Sequence, residues 1–161
     1  MRRLKKMIDV DKMNLQEQKD FDVTQKIMTK IFAAYGCVPQ MTKMDEYSPY
    51  DAKMAAKKRK YHVEIKERNV PCLEDLETLP LKVKKYCNIL ENTPENITPI
   101  IIYLVNNEKY YIFNLRHLDL NKVQLRNWVI PKVNYTEKKE YDKVPTFFIP
   151  IQMAQYNGLI S

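Results

Sequence analysis

The chain has 161 residues, 45% of them apolar, and a formal net charge of +7. This length and composition predict one globular domain with a hydrophobic core, and the positive charge is compatible with a polyanionic partner such as nucleic acid. Only two glycines occur, which excludes a glycine-rich phosphate-binding loop and a dinucleotide-binding fingerprint.

Cysteines and apolar runs restrict the cellular setting. The three cysteines, Cys37, Cys72 and Cys87, are widely spaced and form no C-x-x-C pair, so we expect reduced thiols rather than disulfides or a zinc site. The basic start of the chain is followed by no apolar signal segment, and the longest apolar run, residues 100–105, is too short to span a membrane. The sequence therefore predicts a cytoplasmic protein without a membrane partner.

The first predicted elements are a basic arm and a helix. Residues 1–13 are basic without a helical period, so we expect a loose arm ahead of one domain over residues 14–161. From residue 14 onward the pattern becomes helical, because Val23, Ile27 and Ile31 recur every four residues. Asn14 is the expected N-cap of a helix over residues 14–35, and Gly36 is the expected left-handed residue that ends it.

Runs of alternating or continuous apolar residues predict the β-strands. They cover residues 37–42 at a sheet edge, 51–54, 61–67, 99–105, 110–115 and 144–149. Residues 55–60 are expected to form a turn, residues 118–128 to contain a short helix, and residues 150–156 to form a closing turn. A second helix is predicted over residues 74–90, with its stable part from residue 79 because Pro80 is tolerated in a first turn. This order predicts an α/β (α+β) fold with a single mixed β-sheet flanked by helices.

The strand over residues 61–67 carries side chains suited to catalysis. Apolar residues alternate along it with His62, Glu64 and Lys66, so Glu64 and Lys66 lie on one face, about 7 Å apart along the strand. The preceding hairpin brings a second carboxylate, Asp51, alongside. Two carboxylates can hold a hard divalent cation such as Mg²⁺, and a neighbouring lysine can orient water or contact a phosphate oxygen.

Asp51, twelve intervening residues and then Glu64-Ile65-Lys66 resemble the D…(D/E)xK signature of the PD-(D/E)XK nuclease superfamily, whose members include small nucleases of phages and mobile elements. The sequence departs from the pattern at Tyr50, because its proline lies one residue earlier. The resemblance covers residues 14–115. It implies a restriction-endonuclease-like core, built from a helix, a meander of strands that carries the site, a second helix and a further strand.

The same resemblance implies the chemistry. It predicts a Mg²⁺- or Mn²⁺-dependent endonuclease acting on DNA, in which Asp51, Glu64 and the backbone carbonyl of Ile65 hold the metal. Lys66 would position the attacking water. The family often adds an acidic residue on the first helix, and Asp20 is our choice because it shares a face with the apolar stripe. Two alternatives stay open at that point. In the first the acidic residue is Glu17, which has a competing capping role. In the second the family's acidic position falls on Gln25 and therefore carries no acid.

Other polar residues take roles around this site. Lys82 and Tyr86 resemble the lysine–tyrosine pair that many members carry on the second helix, with Lys82 as a phosphate contact, although an exposed lysine and a core tyrosine fit equally well. His62 is placed as an accessory residue of the site, against the alternative of a structural histidine. The basic residues expected to bind nucleic acid are Lys57, Lys58, Arg59, Lys60, Lys82 and Lys85.

Three alternatives to a simple nuclease stay open on the sequence. One is a structure-selective resolvase of branched DNA, which shares the same chemistry. Another is a non-catalytic DNA-binding protein that kept the nuclease fold, and the third is a basic structural or regulatory protein without metal affinity. The oligomeric state is also open, with a homodimer as one of the options.

Overall fold

The computed structural model describes the backbone of residues 2–131 and 141–161, and the side chains of residues 14–129 and 143–161. Within these ranges the chain forms two α-helices and nine strands. The helices are α1 (Arg2–Ala33) and α2 (Val83–Glu91). The strands are β1 (Gln40–Lys43), β2 (Ala52–Ala56), β3 (Arg59–Arg68), β4 (Thr78–Lys82), β5 (Ile97–Val105), β6 (Lys109–Asn114), β7 (Gln124–Pro131), β8 (Tyr141–Pro150) and β9 (Tyr156–Leu159).

The strands form two sheets. Six of them make a mixed sheet in the order β1-β2-β3-β5-β6-β9, in which only the β3–β5 pair is parallel, and three more make an antiparallel sheet in the order β4-β8-β7. The predicted α+β fold with a mixed sheet and helices is confirmed. The sequence predicted one sheet, however, and the second one was missed, because β4 pairs with a strand more than 60 residues away.

The order of the elements agrees with the one that the resemblance implied. α1 is followed by the meander β1–β2–β3, and α2 then lies in the connection from β3 to the parallel strand β5. Parallel neighbours need such a crossover. β5 lies between β3 and β6 and is buried from Pro99 to Val105, as expected for a central strand that is covered on both faces.

Side chains of β5 alternate between two hydrophobic clusters, which define the two faces of the six-stranded sheet. Ile100, Ile102 and Leu104 pack towards Ile27 and Met28 of α1, and we call this side the α1 face. On the other side, the α2 face, Ile101, Tyr103 and Val105 pack with residues of α2 and the second sheet. No helix in the described chain is both long and apolar enough to cross a membrane.

The first helix differs from its prediction at one end. It begins at Arg2, so residues 2–13 are helical, Asn14 lies in the helix interior, and the predicted N-cap is wrong. Residues 2–33 contain no glycine or proline and many good helix formers, which allows the helix to extend without a clear apolar stripe. Its other end is as predicted: Gly36 has a φ of 68°, and its N–H donates to the Ala33 carbonyl over 3.0 Å.

Other helix and strand boundaries also differ from the predicted ones. Residues 78–82 form β4 instead of the start of α2, because Leu79 and Leu81 alternate into the core and Pro80 is tolerated in an edge strand. The β2–β3 turn shrinks to residues 57–58, since both strands continue to it. The predicted helix within residues 118–128 is a short 3₁₀-helix (Leu120–Lys122) followed by β7, and the predicted closing turn ends in β9.

Arg116 ties the loop after α2 to the end of β6. Its guanidinium donates hydrogen bonds to the carbonyls of Thr93, Pro94 and Ile97, over 3.1, 3.2 and 2.6 Å. Because charged donors on several carbonyls are stabilising, we expect Arg116→Ala to lower the free energy of unfolding by about 1–2 kcal/mol. Lys122→Ala is the control, since within the described residues the Lys122 side chain makes only an exposed, 4.0 Å pair with Asp119. Urea unfolding that finds equal losses in both variants would contradict this role.

Candidate active site

Asp51 is held against β3 by two backbone contacts. Its N–H donates to the Val63 carbonyl over 3.0 Å, and its Oδ2 accepts from the Ile65 N–H over 2.7 Å. Ala52, the next residue, pairs with Val63, so Asp51 lies across the hairpin from Glu64. The aspartate side chain is thus positioned by main-chain atoms of the strand that carries the other candidate residues.

Glu64 lies in the middle of β3 and is only 1% exposed. Its Oε1 contacts the ammonium groups of Lys66, at 3.0 Å, and Lys85, at 3.2 Å. Its Oε2 is buried and has no hydrogen-bond partner in the described part of the chain. The structure therefore brings Asp51, Glu64 and Lys66 together and adds a second ammonium group from α2.

Electrostatics at this carboxylate oppose its ionisation. Burial raises the pKa of Glu64, and the neighbouring charge of Asp51 raises it further, whereas Lys66 and Lys85 lower it without cancelling the effect of burial. A buried carboxylate with one unpaired oxygen costs stability. Such arrangements are frequent at functional sites, where a ligand or ion supplies the missing partner.

The pKa of Glu64 leads to a stability prediction. Its folded-state pKa lies above the usual 4.5, so ionising Glu64 destabilises the folded state at neutral pH. We expect Glu64→Gln to raise the melting temperature at pH 7 in EDTA. This gain should shrink as the pH falls through the raised pKa and should vanish below about 4.5, where Glu64 is protonated in both states. Calorimetric melting from pH 4 to pH 8 measures it, with the exposed Glu108→Gln as control. A constant gain or a loss at pH 7 would contradict the prediction.

The residues present fit a divalent cation, although they form a small ligand set. The described residues contain no group of three or more His, Cys, Asp or Glu side chains that could hold a metal ion. Mg²⁺ nevertheless often binds through one or two carboxylates, keeping waters and substrate phosphate as its other ligands. The unpaired Oε2 of Glu64, close enough to Asp51 for their charges to interact, provides that kind of donor pair.

Lys85 makes a contact at the candidate site that the sequence did not predict. It was expected only among the residues that bind nucleic acid, with Lys82 as the phosphate contact, but Lys85 is the α2 lysine that contacts Glu64. Lys82 is exposed at the N-cap of α2. The signal was available, because Lys85 lies one turn before the fully buried Ile89 and therefore on the helix side that faces the sheet.

No family model matches this chain, and no curated protein matches it. Among solved structures, it is similar to a Holliday junction resolvase from the hyperthermophilic archaeon Archaeoglobus fulgidus, with 10% sequence identity and a TM-score of 0.49. The match covers 88% of this chain and 92% of that one. A likeness at this identity and score is too weak to support a conclusion on fold or activity, so the function is inferred from the residues of the site.

The two residues predicted to be accessory, His62 and Tyr86, both make structural contacts. His62 is 4% exposed, its Nδ1 lies 2.8 Å from Thr93 Oγ1, and its ring stacks on Tyr50 with centroids 3.8 Å apart. Burial, and to a lesser degree Lys53, lowers the pKa of His62. These contacts are typical of a structural histidine, and the accessory role of His62 stays a prediction.

Tyr86 is the second of these residues. Its ring packs edge-on against Phe147 of β8, with centroids 5.3 Å apart, and burial raises its pKa. These positions agree with the interpretation of Lys82 as an exposed lysine and of Tyr86 as a core tyrosine.

Asp20, the predicted metal ligand on the first helix, interacts with a different carboxylate. Its pKa is raised by partial burial and also by Glu67, although a 2.9 Å hydrogen bond from the Gln16 amide opposes the shift. Glu67 is an odd-numbered residue of β3 and lies on the α1 face, whereas Glu64 points to the α2 face. The structure therefore pairs Asp20 with Glu67 and not with Glu64, and it leaves Glu17 exposed.

The basic turn, Lys57 to Lys60, lies at the far end of the β2–β3 hairpin. Because it falls between Asp51 and Glu64 in the sequence, it was expected beside the metal site. Arg59 and Glu64 are, however, about 16 Å apart along the extended strand. This turn therefore cannot touch the same phosphate as Lys66. Lys57 donates to the Tyr35 carbonyl over 3.2 Å and so contacts the end of α1.

Proposed function

We propose that the protein is a divalent-metal-dependent endonuclease that hydrolyses phosphodiester bonds in DNA. The observation that carries the proposal is the buried, unpaired Oε2 of Glu64 beside Asp51, with two ammonium groups on the other oxygen. Burying a carboxylate in this way costs stability, and an apolar side chain of similar volume at the same position would avoid that cost. A site that binds a cation and an anionic substrate explains why both charges are present.

Asp51 and Glu64 would hold Mg²⁺ or Mn²⁺, and the carbonyl of Ile65 would complete the protein ligands. When bound, such an ion lowers the pKa of a coordinated water and polarises the phosphate. The N–H of Ile65 already holds Asp51 Oδ2 at 2.7 Å, so its carboxylate needs little reorganisation before binding.

Lys66 and Lys85 would act on the water and the phosphate. Both ammonium groups reach one oxygen of Glu64, and each keeps further N–H donors for a second partner. Lys66 would orient the attacking water, and Lys85 would donate to a non-bridging phosphate oxygen. Their side chains are 31% and 28% exposed, so a substrate can reach them from solvent.

DNA is the substrate that the charges favour. The chain carries 27 Lys and Arg residues against 20 Asp and Glu residues, and Lys82 and Lys84 flank Lys85 on the exposed side of α2. Cations around the site neutralise backbone phosphates and release condensed counterions, which supplies affinity without sequence preference. Affinity should therefore fall steeply as the salt concentration rises.

The test is digestion of a supercoiled plasmid, a single-stranded oligonucleotide and a four-way junction with Mg²⁺, Mn²⁺ or EDTA. We expect cleavage with either metal and none in EDTA. Paired, symmetrical cuts in the junction alone would identify a structure-selective resolvase. Binding of DNA without cleavage, and without heat on titration with Mn²⁺, would identify a non-catalytic DNA-binding protein and reject the proposal.

A further inference from the structure

A cavity of about 1020 Å³ opens on the α1 face, away from the candidate active site. Its floor is apolar and includes Met54, Ile100 and Ile112, all of which are buried in the sheet. Ile31 and Phe32 of α1 form one wall. The lining contains none of Asp51, Glu64 and Lys66, and its volume is at the upper end of the range for small-molecule sites.

Cations line the rim of this α1-face cavity. They are Lys57, Lys58 and Arg59, all from the basic turn. Lys57 adopts a φ of 56°, a conformation that costs a non-glycine residue about 1 kcal/mol or more. In the β5–β6 turn the residues with a positive φ are asparagines, which tolerate this conformation better than lysine does. A lysine therefore occupies position 57, where Asn or Gly would be less strained.

Three tyrosines also line the cavity. The hydroxyl groups of Tyr35 and Tyr156 lie 3.2 Å apart, and Tyr61 packs edge-on against Phe32 with centroids 5.8 Å apart. The hydrogen bond between Tyr156 and Tyr35 is the main cause of a raised pKa at Tyr156, and Arg59 lowers that pKa in opposition, so this cation lies within reach of the phenols. Aromatic faces and a guanidinium therefore meet at one side of the cavity.

Four further lining residues have polar side chains. Thr98, Asn114 and Gln155 contribute hydroxyl and amide groups, and His117 adds an imidazole. Side chains of this kind can donate and accept hydrogen bonds at the edge of a heterocycle. A purely apolar ligand, such as an acyl chain, would form no hydrogen bonds with these groups, and a sugar phosphate would leave the apolar floor uncovered.

We propose that the α1-face cavity binds a nucleotide. The base would lie between the tyrosines and the apolar floor, with its polar edge towards the amides, and its phosphate would contact Lys58 and Arg59. Two sources share this chemistry: a free mononucleotide, and an unpaired nucleotide of a nucleic acid strand. The proposal does not depend on cleavage, because the cavity and Glu64 lie on opposite faces of the sheet.

The cysteines allow a direct test in the unmodified protein. Cys37 lines the cavity and is half-buried, whereas Cys72 and Cys87 are exposed elsewhere. N-ethylmaleimide labelling of each cysteine is followed by peptide mass spectrometry in EDTA, with dAMP, dTMP, a ten-nucleotide oligo(dT), a blunt duplex or inorganic phosphate. We expect a nucleotide probe to slow labelling of Cys37 several-fold and to leave Cys72 and Cys87 unchanged.

The probes separate the sources. Protection by dAMP or dTMP identifies a site for free nucleotides, and protection by oligo(dT) alone identifies a site for an unpaired nucleotide in a strand. Equal protection by inorganic phosphate would show an anion site without base recognition and would overturn the proposal. Unchanged labelling of Cys37 with every probe would overturn it as well.

Calorimetric titration of variants with the protecting probe gives a second measurement. Loss of aromatic stacking typically weakens binding of a base about tenfold, so we expect that loss for Tyr156→Ala and not for Tyr156→Phe. Arg59→Gln should weaken binding comparably, and the distant Lys122→Ala should not change it. All titrations contain EDTA, so an absence of nucleotide binding would not contradict the metal-dependent nuclease proposal. An absence of DNA cleavage would likewise not contradict nucleotide binding in the α1-face cavity. Equal affinity in all four variants would overturn the proposal.

Discussion

DNA cleavage should fall by at least about a hundredfold in Asp51→Asn and in Glu64→Gln, with the fold of both variants intact. Each substitution keeps the shape of the side chain and removes the negative charge that would hold the cation. The buried Glu64 Oε2 has no partner in the described chain, so an amide there loses no existing contact of that oxygen. Single-turnover digestion of a labelled duplex with Mg²⁺ measures the loss.

Two controls make the result specific. Glu108→Gln removes an exposed carboxylate on the β5–β6 turn and should cut at the wild-type rate. Mn²⁺ titration should show reduced heat for Asp51→Asn and Glu64→Gln but not for Glu108→Gln. If either site variant cleaves at a rate near that of the wild type, the metal ligands are misassigned, whatever the substrate.

Replacing either lysine of the site should also lower turnover strongly. For Lys66→Ala and Lys85→Ala we expect a decrease of about a hundredfold each, because a positioned cation that stabilises developing charge contributes on that scale. Neither ammonium group can be a metal ligand, since it has no lone pair to donate. Mn²⁺ affinity measured at pH 8 should therefore change little while the rate falls.

The two lysines share Glu64 Oε1, so their effects should not add. Lys84→Ala, on the exposed side of the same helix, is the matched control and should keep the wild-type rate at saturating DNA, because Lys84 contributes only to DNA affinity. A large loss of Mn²⁺ binding in Lys66→Ala would mean that Lys66 mainly supports the position of Glu64. Full activity in Lys85→Ala would remove that residue from the mechanism.

Local patterns in the sequence were sufficient for the strand that carries the site. Alternation in β3 placed Glu64 and Lys66 on one face, and the short hairpin placed Asp51 across from them, because both relations depend on neighbours in the chain. The continuous apolar run of β5 and the left-handed Gly36 are likewise local features. Sequence patterns alone therefore located these residues correctly, although the catalytic roles of the site residues stay a prediction.

Long-range packing decided the rest. Lys85 meets Glu64, and Asp20 meets Glu67, only because α2 and α1 pack on opposite faces of the sheet, which no local period reveals. β4 became a strand because a distant partner, β8, outweighed its helix-like sequence context. The basic turn was near Glu64 in sequence, but two extended strands carried it to the other end of the hairpin. The sequence by itself determined which side chains share a strand face, and the tertiary structure decided which elements meet there, because contacts between distant segments depend on how whole elements pack.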